Sequence, residues 1–423
     1  MADVTVSSIQ SGSQSISSGD GLTVNIAITA VDLSRSIVMI TQSNAAKETR
    51  IKRHIFRADL STSTNVRLIR HDSNYAKDVI VEWTVVEFDT GVIQNIQSGS
   101  VDRTNAVQNT TLTAVDLGKS FVVTSLTTNL STISTSVPAT ASLSSTTNLV
   151  LESATAPTSG QSFYAYQVVE FLSTASVDIQ QVSSTVVADA GTNVQTITAV
   201  DTEKTFISSG GFLTAASLNV IIRGSATLDL TSTTEVTATR TTAGSQLGNA
   251  TFNYYVVELT GSSNKVEKID VTFLATDTSK TASWTALSTT KTALFDTFSL
   301  GNRVIDVTSG GSADNRNNLF SVSLNPGADG ATVTRGGADD AYRVISYAVD
   351  FTSSGATAVV MTISESTTAA DSQLAQANLL STISESTTAT DTTTGKLSAS
   401  LSLNESAGAS DRSEERRVGK ECV

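Results

Sequence analysis

The chain has 423 residues, room for several domains that each bury a core. Its net charge of -13 argues against a general nucleic-acid binder, whose phosphate contacts need a basic surface. With 39% hydrophobic residues and only three prolines, most of the length reads as neither disordered chain nor flexible linker.

Ser and Thr make up roughly 30% of the sequence, far above ordinary usage, and Val, Ile and Thr dominate the apolar runs. β-branched side chains favour pleated strands, so the expectation is an all-β protein. No run of about 18 apolar residues occurs, which predicts no membrane span. The opening Met1-Ala2-Asp3-Val4-Thr5-Val6 lacks a charged and then apolar leader, so no secretory signal is expected.

Repeat one opens with Ser8-Ile9-Gln10-Ser11-Gly12-Ser13, echoed by Asn95-Ile96-Gln97-Ser98-Gly99-Ser100 and faintly from Gln181 onward. A strand then ends in Thr29-Ala30-Val31-Asp32, repeated as Thr113-Ala114-Val115-Asp116 and Thr198-Ala199-Val200-Asp201, with Thr285-Ala286-Leu287-Ser288 as a degenerate fourth. Asp32, Asp116 and Asp201 precede small polar residues. An aspartate there can bond nearby backbone N–H groups, so a strand–turn–strand hairpin is expected.

Each unit closes on a strand with a recurrent acid: Trp83-Thr84-Val85-Val86-Glu87-Phe88, Tyr166-Gln167-Val168-Val169-Glu170-Phe171, Tyr254-Tyr255-Val256-Val257-Glu258-Leu259 and Ser346-Tyr347-Ala348-Val349-Asp350-Phe351. The acids Glu87, Glu170, Glu258 and Asp350 are 83, 88 and 92 positions apart, the mark of a tandem array. One acid per repeat fits a carboxylate bonding turn N–H groups or a nearby Arg better than paired hydrolytic acids. Apolar residues on both faces of this strand predict a central position, with Trp83, Tyr166 and Tyr254 equivalent and largely buried. Removing such a buried ring typically costs about 3–5 kcal/mol.

The pattern predicts four small antiparallel sandwich or barrel modules of roughly six strands, at 1–90, 91–175, 176–262 and 263–352. Each is expected to fold when excised. A second repeat follows over 353–411, with Glu365, Glu385 and Glu405 spaced 20 apart, as are Asp371, Asp391 and Asp411. Without large apolar residues, one copy cannot fold alone. Its acids read as polar surface rather than a calcium loop, since dense Asp-x-Asp spacing is lacking.

The terminal 412–423 resembles a translated sequencing adapter, with clustered charge and the only cysteine, Cys422. On that reading the native chain continues past Asp411 and carries no disulfide.

His54 and His71, the only histidines, both fall in repeat one and read as surface residues rather than a catalytic base. Lys47, Arg50, Lys52, Arg53, His54, Arg57, Arg67 and Arg70 form a basic island in an acidic chain. It reads as either a docking patch for an acidic partner or a solvated strand pair. The polar stretches 314–318 and 335–340 are loops that could bind or merely connect. Nothing here calls for a cofactor, a metal or a catalytic constellation.

The Ile-Gln-Ser-Gly-Ser opening, Ala-Val-Asp turn and Val-Val-Glu-Phe close resemble the tandem β modules of tailed-bacteriophage virion proteins of tail or fibre type. The resemblance covers about 1–352 and implies a non-enzymatic structural or adhesive protein. Its expected partners are other virion proteins and a host surface glycan, with no nucleic acid. It further implies a homo-oligomer, a trimer being one option, assembled in the host cytoplasm and released in the virion by lysis. The alternatives are a bacterial cell-surface adhesin and a carbohydrate-binding, lectin-like array.

Overall fold

The computed structural model describes 2–44, 55–71, 78–130, 136, 139–187, 190–214, 226–239, 249–274, 276–296, 320–335 and 342–351, together with three short strands beyond. The chain forms two compact units, Met1–Ser353 and Ser354–Val423.

The first unit is all-β. Its strands are β1 (Val6–Ile16), β2 (Thr23–Ala27), β3 (Ser36–Asn44), β4 (Arg57–Thr62), β5 (Asn65–Ile69) and β6 (Val79–Phe88) in the first module. The second holds β7 (Ile93–Asp102), β8 (Val107–Thr111), β9 (Ser120–Thr128), β10 (Thr140–Ser145), β11 (Asn148–Glu152) and β12 (Ser162–Phe171). In the third are β13 (Asp178–Val186), β14 (Thr192–Thr196), β15 (Thr205–Thr214), β16 (Thr227–Ser232), β17 (Glu235–Thr239) and β18 (Ala250–Glu258). The fourth has β19 (Lys265–Phe273), β20 (Ser279–Ser283), β21 (Thr292–Asp296), β22 (Phe320–Leu324), β23 (Gly330–Arg335) and β24 (Tyr342–Asp350).

Each module repeats one antiparallel strand order, first–sixth–third and second–fifth–fourth, and pairing of β10 with β15 joins one sheet of the second module to one of the third in a six-stranded sheet. The acid-bearing strands β6, β12, β18 and β24 are central in their sheets, as their two apolar faces require. The Ala-Val-Asp turn is no hairpin, because β2 and β3 belong to different sheets. It is a crossover. Its backbone is held by the tip of the β4–β5 hairpin, where Ile28 N–H and Val31 N–H donate to Thr64 O and Ser63 O. Leu112 and Val115 make the same pair of bonds to Thr147 and Thr146, and Ile197 and Val200 to Thr234 and Thr233.

The modules are not beads. The first and fourth have inner cores of their own, around Phe56 and Val81 and around Phe273 and Phe320. Those of the second and third run together with residues from all four modules into one continuous core. At its centre lie Phe88, Phe121, Phe171, Phe206, Phe295 and Phe351, with neighbouring ring centroids 4.4–6.4 Å apart. Such pairs contribute about 0.5–1.5 kcal/mol each beyond the area they bury.

The circuit closes on itself. Ala58 N–H in β4 donates to Ser125 Oγ in β9 at 3.0 Å, and Val322 N–H in β22 donates to Thr41 Oγ1 in β3 at 3.0 Å. Strand register makes Val322 the counterpart of Ala58 and Thr41 that of Ser125. The fourth module therefore grips the first as the first grips the second. Lys119 likewise donates to Val177 O of the third module, and Lys291 to Ser7 O of the first.

The closing-strand aromatics depart from expectation. Tyr254 is fully buried, but Trp83 and Tyr166 are only half-buried. The cause is the opposing residue. Trp83 and Tyr166 lie over Gly12 and Gly99, where an added Cβ would come within 2.8 and 2.5 Å of the ring or its hydroxyl, whereas Tyr254 faces Val182.

In the second unit Ser364–Glu365, Ser384–Glu385 and Asn404–Glu405 pair as parallel strands in register. The 20-residue period is thus one strand per repeat.

The shared core sets the outcome to expect when a module is cut out. Excised 91–175 should bind a hydrophobic dye and melt without a cooperative transition, since it uncovers Phe121 and Phe171. The 1–353 unit should show one calorimetric transition; four separable ones would contradict the shared core.

Candidate functional site

The recurrent polar residues are bonded to backbone. Glu87 Oε1 accepts from Asp32 N at 3.0 Å, Glu170 Oε1 from Asp116 N at 2.8 Å, Glu258 Oε1 from Asp201 N at 2.8 Å and Asp350 Oδ2 from Ser288 N at 3.0 Å. Asp32, Asp116 and Asp201 in turn accept from the N–H two residues on, at 2.9, 2.9 and 3.0 Å. In module one Arg35 also reaches Glu87, at 3.3 Å.

A second clamp has no acid. Gln10 exchanges two hydrogen bonds with Thr29 backbone, Gln97 with Thr113 and Gln180 with Thr198. The third copy is thus aligned on Gln180 rather than Gln181, one residue earlier than the sequence suggests. With two glutamines in tandem, only backbone register decides.

Three residues of the basic island are described, Arg57, Arg67 and Arg70. Arg70 is 1% exposed, donates to Gly21 O and Ser17 O at 2.8 Å, and lies over Phe56. It plugs the open end of its sandwich, as Arg103 does over Tyr164 and Arg335 over Phe273. Arg67 pairs with Asp59 through two bonds of 2.9 and 2.8 Å. Arg57 lies over Phe163 of the second module, and burial pulls its guanidinium below the usual range. His71 stacks on the same ring at 4.4 Å. Arg57 and Arg70 are therefore internal contacts rather than a free docking face, whereas the Arg67 side chain, paired with Asp59, stays 41% exposed. Lys47, Arg50, Lys52, Arg53 and His54 lie outside the described residues, as do 314–318 and 336–340. Among the described residues, no group of three or more His, Cys, Asp or Glu could hold a metal ion, and no helix is long and apolar enough to cross a membrane.

A groove of about 480 Å³ lies between the first and second modules. Leu33, Asp59, Leu60 and Arg67 line it from one side, and Ile96, Ser98, Ser100 and Gln167 from the other. Gln167 spans the interface, accepting from Val38 N at 2.9 Å and donating to Val38 O at 2.8 Å. Sequence reasoning missed this groove. The signal was in the repeats, since Gln167 aligns with Tyr255 and Tyr347.

The next two interfaces round the circuit are filled. Between the second and third modules, Leu143 N–H donates to Gln181 Oε1 at 2.9 Å and Tyr255 OH at 3.2 Å, while Gln181 Nε2 donates to Leu143 O. Between the third and fourth, Leu230 N–H donates to Tyr347 OH at 3.5 Å, and Asp229 takes Lys268 at 3.0 Å and Arg343 at 2.7 Å. Burial raises both tyrosine hydroxyls well above their ordinary pKa, so they stay neutral. Arg343 also grips Asp270, and that hydrogen bond holds the Asp270 carboxyl below its usual range.

The sequence matched no model of a known protein family and no curated protein. The site therefore rests on its own geometry, which offers binding groups of both hydrogen-bonding senses.

Two outcomes follow for the described contacts. Glu170→Ala should cost about 1.5–3 kcal/mol in denaturant unfolding, the usual worth of a hydrogen bond to a charged group. Asp270, with its folded pKa depressed, stabilises the fold above the ordinary carboxylate range, and this is lost as pH falls through the folded value. The melting temperatures of wild type and Asp270→Asn should differ at neutral pH, begin to approach each other below about pH 4, and meet only below the depressed folded value.

Proposed function

We propose that this chain is a non-enzymatic structural component of a phage particle, of tail or fibre type, whose β modules form a rigid block that also contacts host glycans. The observation that carries the structural reading is the use of the recurrent residues. Glu87, Glu170, Glu258 and Asp350 all bond the backbone of the crossover turn, so each of these carboxylates holds the fold in place. The sequence resemblance to tailed-phage β modules supplies the particle. A repeated unit spent on backbone clamps and a shared apolar core suits load-bearing better than turnover.

The test is proteomics on density-purified particles from a lysate of a host carrying this gene. Peptides from across 1–353 should appear at a fixed ratio to the major structural proteins. Recovery in the host envelope fraction instead would favour the surface adhesin.

A further inference from the structure

We propose that the groove between the first and second modules is a saccharide-binding site. The inference deepens the glycan-contact part of the proposed function and rests on that reading for its biological setting only.

The internal repeats show what the groove lacks. Strand register places Ser98 opposite Gln167, Gln181 opposite Tyr255 and Lys268 opposite Tyr347, and the fourth such pair, Ser11 opposite Thr84 in the first module, is short on both strands. In the second and third of these pairs, long side chains cross to the neighbouring module and close over Leu143 or Leu230. Their counterpart in the first module is Leu60. Ser98 is too short to reach it, and Gln167 is committed to Val38.

Leu60 turns the same backbone edge outward as Ala58, two residues earlier, because groups alternate along a strand. The Ala58 edge already serves Ser125, through both N–H and C=O, at 3.0 and 3.4 Å. Among the described residues, no side chain takes up the N–H of Leu60. One backbone donor and one acceptor therefore face the groove, where the next interfaces supply a tyrosine hydroxyl or a carboxamide.

The lining chemistry selects the ligand class. Asp59 and Arg67 neutralise each other, so the groove does not select an ion. Ser98 and Ser100 add hydroxyls that both donate and accept, and Leu33 and Ile96 add apolar wall. A neutral molecule rich in hydroxyls with an apolar face matches all three, and that is a sugar. The volume falls within the range of about 300–1,000 Å³ usual for small-molecule sites. A peptide strand fits poorly, because Ser125 occupies the Ala58 edge and leaves a single residue for a ladder.

The experiment uses the full chain on an array of neutral hexose and N-acetylhexosamine oligosaccharides, with sialylated and sulfated glycans as anionic controls. The strongest hit is then titrated by calorimetry. Wild type should bind at least one neutral glycan. Ser98→Gln with Gln167→Tyr, which writes the residues of the next interface into this one, should weaken binding at least about tenfold, the equivalent of one net hydrogen bond. Ser98→Gln alone keeps the bonds to Val38, so it serves if the double variant melts early, and it should weaken binding in the same direction.

Binding of anionic glycans only, or none at all, overturns the proposal. So does unchanged affinity in a folded Ser98→Gln protein. A wild-type dimer in light scattering that this variant disperses would show that the groove pairs protein chains, and that too overturns it. Particle incorporation is scored separately. Wild type that enters particles but binds no glycan removes the site and keeps the structural role, whereas glycan binding without incorporation keeps the site and removes that role.

Discussion

The packing of six phenylalanines at the meeting point of four modules is the constraint on which the rest of the first unit depends. Phe88, Phe171 and Phe351 each follow the recurrent acid by one residue. The clamp from Glu87, Glu170 or Asp350 to the crossover turn therefore fixes the strand end that delivers the ring. A hydrogen bond conserved in geometry across four copies thus acts on apolar packing. The module without a phenylalanine there, ending in Leu259, contributes Phe206 from β15 instead.

How much of this was legible follows from what kind of feature each part is. The central strand and the all-β class were readable because they depend on local alternation and β-branched residues. The acids were readable because they recur. The crossover was misread as a hairpin, since turn chemistry at Asp32 specifies a change of direction and not which sheet receives the next strand. The role of Arg70 was misread because a buried arginine bonded to carbonyls has the same letter as an exposed one. Arg103 fills the matching space from a different strand, so no column of aligned repeats would reveal it.

The groove is the hardest case, because it is defined by shortened side chains. Ser98 and Gln167 carry no motif, and they mean something only beside Gln181 and Tyr255 or Lys268 and Tyr347. Comparing equivalent interfaces within one chain does the work that comparison among relatives would otherwise do. The pseudo-symmetric copies act as controls for one another, and a departure from the common pattern marks a place where the molecule has room for something else.

The closing contact between Val322 and Thr41 also bears on how such a sequence can change over generations. An open row of repeats tolerates gain or loss of a unit, because each copy meets only its neighbours. Head-to-tail interfaces that close a circuit fix the number of members. Unequal recombination between copies here would leave the fourth module's grip without its target and the aromatic centre incomplete. Copy number in this unit is therefore locked, and variation is confined to single positions within a copy. In the second unit the strands Ser364–Glu365, Ser384–Glu385 and Asn404–Glu405 pair in a row, each with its neighbour, the arrangement in which a copy can be gained or lost.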